Sequence, residues 1–141
     1  MLTTPSTDQS CPCGSKKAFN SCCKPYIEGA QSAPTAVSLM RSRYTAFALG
    51  TVDYLIATTA PNMRKDDDYA IITEQVKNTH WCGLKIINCV DGLKGDSTGE
   101  VEFKAYFIAD GEGGVLHERS RFYRQGDQWF YADGDVSIVE Q

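Results

Sequence analysis

No apolar run in this sequence approaches the roughly 18 residues a membrane-crossing helix needs. The opening, Met1-Leu2-Thr3-Thr4-Pro5, lacks the basic start and apolar stretch of a secretory signal. There is no phosphate-binding glycine loop and no H-E-x-x-H, and the sequence names no reaction. Histidine is scarce: His80 precedes Trp81 at a strand entrance, His117 falls on an outer strand face, and neither has a Cys, Ser or Asp partner at a motif spacing. Net positive charge is lacking too, with a formal charge of −4 and an isoelectric point near 5.1. Affinity for phosphate backbones comes from counterion release by clustered Lys and Arg, so nucleic acid is not an expected partner. Lys16, Lys17 and Lys24, and Arg119, Arg121 and Arg124, read as solvated faces.

What the chain does have is one core's worth of residues and an unusual distribution of thiols. Its 141 residues allow one main domain plus an appendage. With 42% hydrophobic and 23% charged residues, the composition is that of an ordinary globular chain rather than a disordered one. Four of the six cysteines, Cys11, Cys13, Cys22 and Cys23, form a C-x-C pair and, eight residues on, an adjacent C-C pair. A closed structural zinc site wants four thiolates about 2.3 Å from the ion. Pro12 stiffens the first pair, and Gly14 permits the dihedrals of a chain wrapping an ion. Four thiolates and a divalent cation leave a formal charge of −2, which Lys16, Lys17 and Lys24 are placed to offset. The alternative is a pair of disulfides or a redox C-x-C. A stapled secreted domain spreads its cysteines to close long loops, and adjacent Cys22 and Cys23 cannot readily bridge each other. The expectation is a zinc knuckle with these four ligands, in a reducing cytoplasm. Cys82 and Cys89 read as small buried or edge hydrophobes, on opposite faces if their strand is regular.

Along the chain, residues 1–10 are polar and read as a disordered tail, 11–30 as the knuckle, and 31–141 as an α+β domain. Phe19 is the knuckle's only large apolar side chain and is expected to cover the metal or dock the knuckle. A helix from Thr35 to Gly50 carries Met40, Tyr44 and Phe47 on one stripe, with Arg43 about 60° and Arg41 about 100° from its centre. Thr51 is placed to cap a second helix over 52–59, and a third runs over 67–78 with Asp66, Asp67 and Asp68 at its start. The period then changes to two. Strands are expected over 81–90, 100–109, 115–124 and 128–133, with 110–114 as one hairpin connection and Gly126-Asp127 as a tight turn. Helices followed by four consecutive strands predict an antiparallel sheet packed against a helical layer.

A curved sheet closed by helices leaves a concave pocket. In the third strand Glu118 and Ser120 share a face with Leu116 and Phe122, so all four point inward together. A buried carboxylate needs a partner, and Arg43 is the expected one, with Trp81 and Trp129 at the mouth. Arg43, Glu118, Ser120, Trp81 and Trp129 are thus the candidate pocket. An internal Arg–Glu pair that fixes the first helix, a binding site and a catalytic site all remain open readings of it.

Two stretches carry a resemblance. Cys11 to Cys23, as C-P-C-G-S-x-K-x-F-x-x-C-C, resembles the SEC-C motif, the zinc tail of a preprotein translocase motor. Met40-Arg41-Ser42-Arg43-Tyr44-Thr45-Ala46-Phe47, Tyr54-Leu55, Trp81, Glu118-Arg119-Ser120-Arg121-Phe122 and Trp129-Phe130-Tyr131-Ala132-Asp133-Gly134 are, in that order, similar to the bacterial YchJ-like family of uncharacterised proteins. The resemblance implies a core like nuclear transport factor two, a cone of helices on a curved sheet. It also implies a zinc-binding protein-interaction module with a protein partner. The alternative is a small-ligand binder or an isomerase- or dehydratase-like enzyme using the cone.

Overall fold

The computed structural model describes residues 2–6 and 8–140, the side chain of Glu140 excepted. Met1, Thr7 and Gln141, which the expected tail and cone include, lie outside the described residues. Four helices precede four strands: α1 (Lys24–Ile27), α2 (Ala36–Leu49), α3 (Val52–Ala57), α4 (Asp68–Asn78), β1 (Thr79–Asp91), β2 (Thr98–Ala109), β3 (Glu112–Gln125) and β4 (Gln128–Glu140). The strands form one antiparallel meander in the order β1-β2-β3-β4, the α+β architecture the change of period predicts.

α2 starts where Thr35 Oγ1 accepts the Ser38 N–H at 3.1 Å and stops at Gly50, whose φ of 84° is the left-handed conformation glycine adopts without cost. Nine of its fourteen residues are buried, so it is enclosed on several sides rather than along one stripe. The expected Thr51 side-chain cap on α3 is not made. α3 ends at Ala57 because the chain turns onto the sheet: Tyr131 N–H donates to the Thr58 carbonyl and Ala60 N–H to the Tyr131 carbonyl, both at 2.8 Å. This parallel bridge between Thr59 and Tyr131 ties the end of α3 to β4.

All four strands run longer than expected, and two boundaries move furthest. The β2–β3 connection is only Asp110-Gly111, both with positive φ, which matches the twist of a tight hairpin and frees 112–114 to pair. β4 continues to Glu140 rather than ending at Asp133, because β3 offers it a backbone partner along its whole length. Register shifts in β1 at Trp81/Gly83 and Ile86/Asn88, and between β3 and β4 at Arg121/Phe122, are the bulges that bend a sheet. Val101, Phe103, Ala105 and Phe122 on the sheet, and Leu39, Met40 and Tyr44 on α2, form one core. Cys11, Cys13, Phe19 and Cys23 belong to that same core, so the knuckle is docked on the helical layer.

Candidate metal centre and cavity

The knuckle is a miniature hairpin feeding a short helix. Cys11 N–H donates to the Lys17 carbonyl at 2.8 Å, Phe19 N–H to that of Gln9 at 2.7 Å, and Ser10 bridges Ala18. Gly14 (φ 78°) and Lys16 (φ 70°) take left-handed conformations inside the loop, as wrapping requires. A 3-10 turn at Phe19–Ser21 then delivers Cys22 and Cys23 to the start of α1. The leading segment also meets α2, Leu2 N–H donating to the Ala48 carbonyl at 2.8 Å.

The four Sγ atoms lie within 4.8 Å of one another, with Cys13–Cys22 at 3.6 Å and Cys22–Cys23 at 3.9 Å. All six cysteines are free thiols. A regular tetrahedron with 2.3 Å metal–sulfur bonds has sulfur–sulfur edges of about 3.8 Å, so these four fit a tetrahedral thiophilic ion. They are the only such cluster of metal-ligating side chains among the described residues.

α2 supplies what surrounds the sulfurs. Thr45 Oγ1, fully buried, donates to Cys23 Sγ at 3.4 Å and lies 3.8 Å from Cys11 Sγ. Arg41 Nη1 donates to the Cys13 carbonyl at 2.9 Å and to Cys13 Sγ at 3.8 Å. Ser15 Oγ is 3.1 Å from Cys22 Sγ. The cation in contact with the cluster is therefore Arg41 rather than a lysine, and Lys16 and Lys17 face solvent. Sequence reasoning missed Arg41 and Thr45, whose i, i+4 spacing puts them on one helix face off the apolar stripe. Hydrogen bonds among the sulfurs spread the thiol acidities apart. Bonds from Cys11 and then Cys23 hold the Cys13 thiol far below its ordinary range. The bond to Cys13 is the main cause that pushes Cys11 up to about 11, and contacts with Cys11 and Cys13 raise Cys23 further.

On the other side of α2 a cavity of about 350 Å³ opens between the helices and the concave face of the sheet. An aromatic cluster forms part of its wall: Trp81 lies 5.4 Å from Phe107, 6.1 Å from Tyr44 and 6.4 Å from Phe47, centroid to centroid. Arg43, Glu118, Ser120 and Trp81 line it together. Trp129 does not. It is 1% exposed, donates from Nε1 to the Pro34 carbonyl at 3.1 Å, and anchors the approach to α2 outside this cavity.

The expected Arg43–Glu118 ion pair is absent as well; the two are not within salt-bridge distance. Arg43 Nη1 instead donates to the Leu55 carbonyl at 2.9 Å and to Thr58 Oγ1 at 2.7 Å, groups that the α3–β4 bridge brings to it. Its guanidinium stacks 4.6 Å from the centroid of the Tyr131 ring. Burial lowers it to about 10, still a cation at neutral pH. Glu118 Oε2 accepts from Ser120 Oγ at 2.5 Å and from Tyr131 OH at 3.0 Å. Tyr131 thus stands between the two charges, and burial together with Glu118 raises its phenol above the usual range.

The remaining candidates are accounted for locally. His117 Nε2 meets Glu102 Oε2 at 2.7 Å. Arg119 pairs with Glu102, Arg121 with Asp133 and Asp135, and Arg124 donates to the carbonyls of Asp96 and Gly126. Cys82 and Cys89 are exposed rather than buried, on β1, an edge strand whose bulges break simple alternation.

Comparison with known proteins agrees with this architecture. The family profile described as "YchJ, middle NTF2-like domain" matches residues 35–134. A UPF0225 protein of Pectobacterium carotovorum is 43% identical over 129 residues, covering 89% of this chain and 83% of the relative. The chain belongs to the YchJ family. Another member, named YchJ in Shigella dysenteriae, is 41% identical over 127 residues, covering 89% and 82%. Among solved structures, a SEC-C motif containing protein from Rhodopseudomonas palustris superimposes with a TM-score of 0.82 at 34% identity, covering 90% of this chain and 98% of that one. A SEC-C motif containing protein from Psychrobacter arcticus gives 0.75 at 30% identity, covering 94% and 85%. The YchJ-type cone and the cysteine knuckle are thus parts of one recurring fold.

Proposed function

We propose that this chain is a cytoplasmic zinc protein whose knuckle is a structural metal site and whose cone binds a small molecule. Zinc is the ion that a closed set of four thiolates with tetrahedral spacing fits best, and the ligand set leaves no position for substrate. The observation that carries the binding reading is the cavity: Arg43 and Glu118 both line it, each about nine-tenths buried, and they do not neutralise each other. A side-chain-filled interior with a closed ion pair would have argued for a purely structural role. Elemental analysis of purified protein should return one zinc per chain, and much less than one removes the zinc assignment. A screen of one- and two-ring aromatic fragments by proton–nitrogen correlation NMR should shift the Trp81 indole and the amides of Glu118 and Ser120. A screen that leaves those signals in place removes the ligand reading.

A second reading makes the knuckle a protein-contact surface, since Lys16, Lys17, Asn20 and Ser21 remain exposed on its outer rim. Protein capture through that rim should be lost on chelation. Capture that persists in metal-free protein excludes it.

A further inference from the structure

The two buried charges in the cavity are each half used, and the unused halves are complementary. Both hydrogen bonds to Glu118 arrive at Oε2, and Oε1 accepts none from the described residues. The bonds of Arg43 to the described residues all leave from Nη1, and Nε and Nη2 donate to none of them. Among the described residues, the one side-chain polar atom that is both sealed from solvent and unpartnered is Thr73 Oγ1. The free Glu118 and Arg43 atoms are not of that sealed kind, and both residues line the cavity. A ligand that displaces solvent from such groups must complete them, and one that leaves either unpaired is penalised.

Resting on the ligand reading of the cone, we infer that the cavity takes a neutral, planar aromatic compound whose edge carries an N–H beside a C=O, a lactam or aryl amide. Glu118 Oε1 supplies the acceptor for the N–H and Arg43 the donors for the C=O. One cation and one carboxylate lining the same cavity cancel in net charge. An anion would be drawn to Arg43 and repelled by Glu118, and a cation the reverse. The aromatic wall of Trp81, Phe107, Tyr44 and Phe47 suits a flat ring system, and about 350 Å³ is at the small end of ligand pockets.

The test compares three two-ring probes on the zinc-loaded full chain: 2-quinolone, with the N–H/C=O edge; 2-methoxyquinoline, with the same rings and no N–H; and 2-naphthoate, an anion. Calorimetry and cavity NMR shifts should rank 2-quinolone at least tenfold tighter than the other two. Glu118→Gln sharpens the test. Ser120 and Tyr131, as donors, hold the new amide oxygen in the place of Oε2 and turn its NH2 to the place of Oε1. The free acceptor becomes a donor, so 2-quinolone should weaken at least tenfold while 2-naphthoate tightens. A structural role for Glu118 would not invert that preference. If 2-naphthoate binds the native protein most tightly, the amide class is overturned while the ligand reading survives. If none of the three binds, the class is overturned, and the broader fragment screen decides the ligand reading separately. An unchanged ranking in Glu118→Gln overturns the assignment of Oε1. The ranking on the native protein needs no variant and decides alone if Glu118→Gln does not fold.

Discussion

Thr45→Val isolates the contact between α2 and the metal centre. The side chain is fully buried, and the replacement has nearly the same shape, so little is lost besides the hydroxyl that donates to Cys23 Sγ at 3.4 Å. Two independent scales give the cost. A hydrogen bond to a charged group contributes about 1.5–3 kcal/mol. Removing an outer-shell partner of a metal ligand typically lowers metal affinity about 10–100-fold, which is about 1.4–2.7 kcal/mol. Both centre near 2 kcal/mol, so zinc should bind roughly 30-fold more weakly, read by competition with a chromophoric chelator. In metal-free protein the same hydroxyl faces a thiol that contacts with Cys11 and Cys13 keep protonated. That neutral bond contributes nearer 1 kcal/mol, so Thr45→Val should lower the melting temperature of the zinc form more than that of the chelated form. An affinity within threefold of the native value, or equal losses of melting temperature in the two forms, would refute the role given to Thr45.

Two further variants probe the scaffold. Burial raises the Tyr44 phenol from its ordinary 10.0 to about 12. A raised acid stabilises the fold fully below pH 10, and that stability is lost between pH 10 and 12, here on the order of 2 kcal/mol. Tyr44→Phe should therefore flatten the alkaline limb of a denaturation series, and parallel limbs for the two proteins would discount this group. Gly99→Ala puts a methyl 2.5 Å from Gly92 Cα and 3.2 Å from Ala36 Cβ, where the β1–β2 connection passes under the start of α2. Because the first obstacle is backbone, the loss should be at least about 1–3 kcal/mol in chemical denaturation, and a neutral result would mean that the connection can move aside.

The elements that depend on local pattern were legible in the sequence. Alternation from Val101 to Phe107, the opening of α2 at Thr35 and its end at Gly50, and the inward set Leu116, Glu118, Ser120 and Phe122 of β3 all follow from local pattern alone. What escaped depends on neighbours distant in sequence. Residues after Asp133 carry turn-like Gly134 and Asp135, yet they extend as strand because β3 satisfies their backbone. A helical wheel places Arg43 at the border of the core but cannot show that Thr58 and Leu55 will reach it before Glu118 does. That outcome is set by the Thr59–Tyr131 bridge, a contact across more than half the chain's length that no local signal announces.

The same helix serves both sites, and this has an energetic consequence. Arg41 and Thr45 face the sulfurs, while Met40, Arg43, Tyr44 and Phe47, interleaved with them, line the cavity. An α-helix is too stiff for one of these faces to shift while the other stays in place. A metal that fixes α2 through Thr45 therefore also fixes the free donors of Arg43 relative to Glu118 on the sheet. Coupling of this kind is reciprocal. Zinc should tighten ligand binding in the cone by the same factor by which a bound ligand tightens zinc, and titrating each with and without the other measures that factor twice. Two unequal factors would break the thermodynamic cycle, and two factors of one would show that the cavity holds its shape without the knuckle.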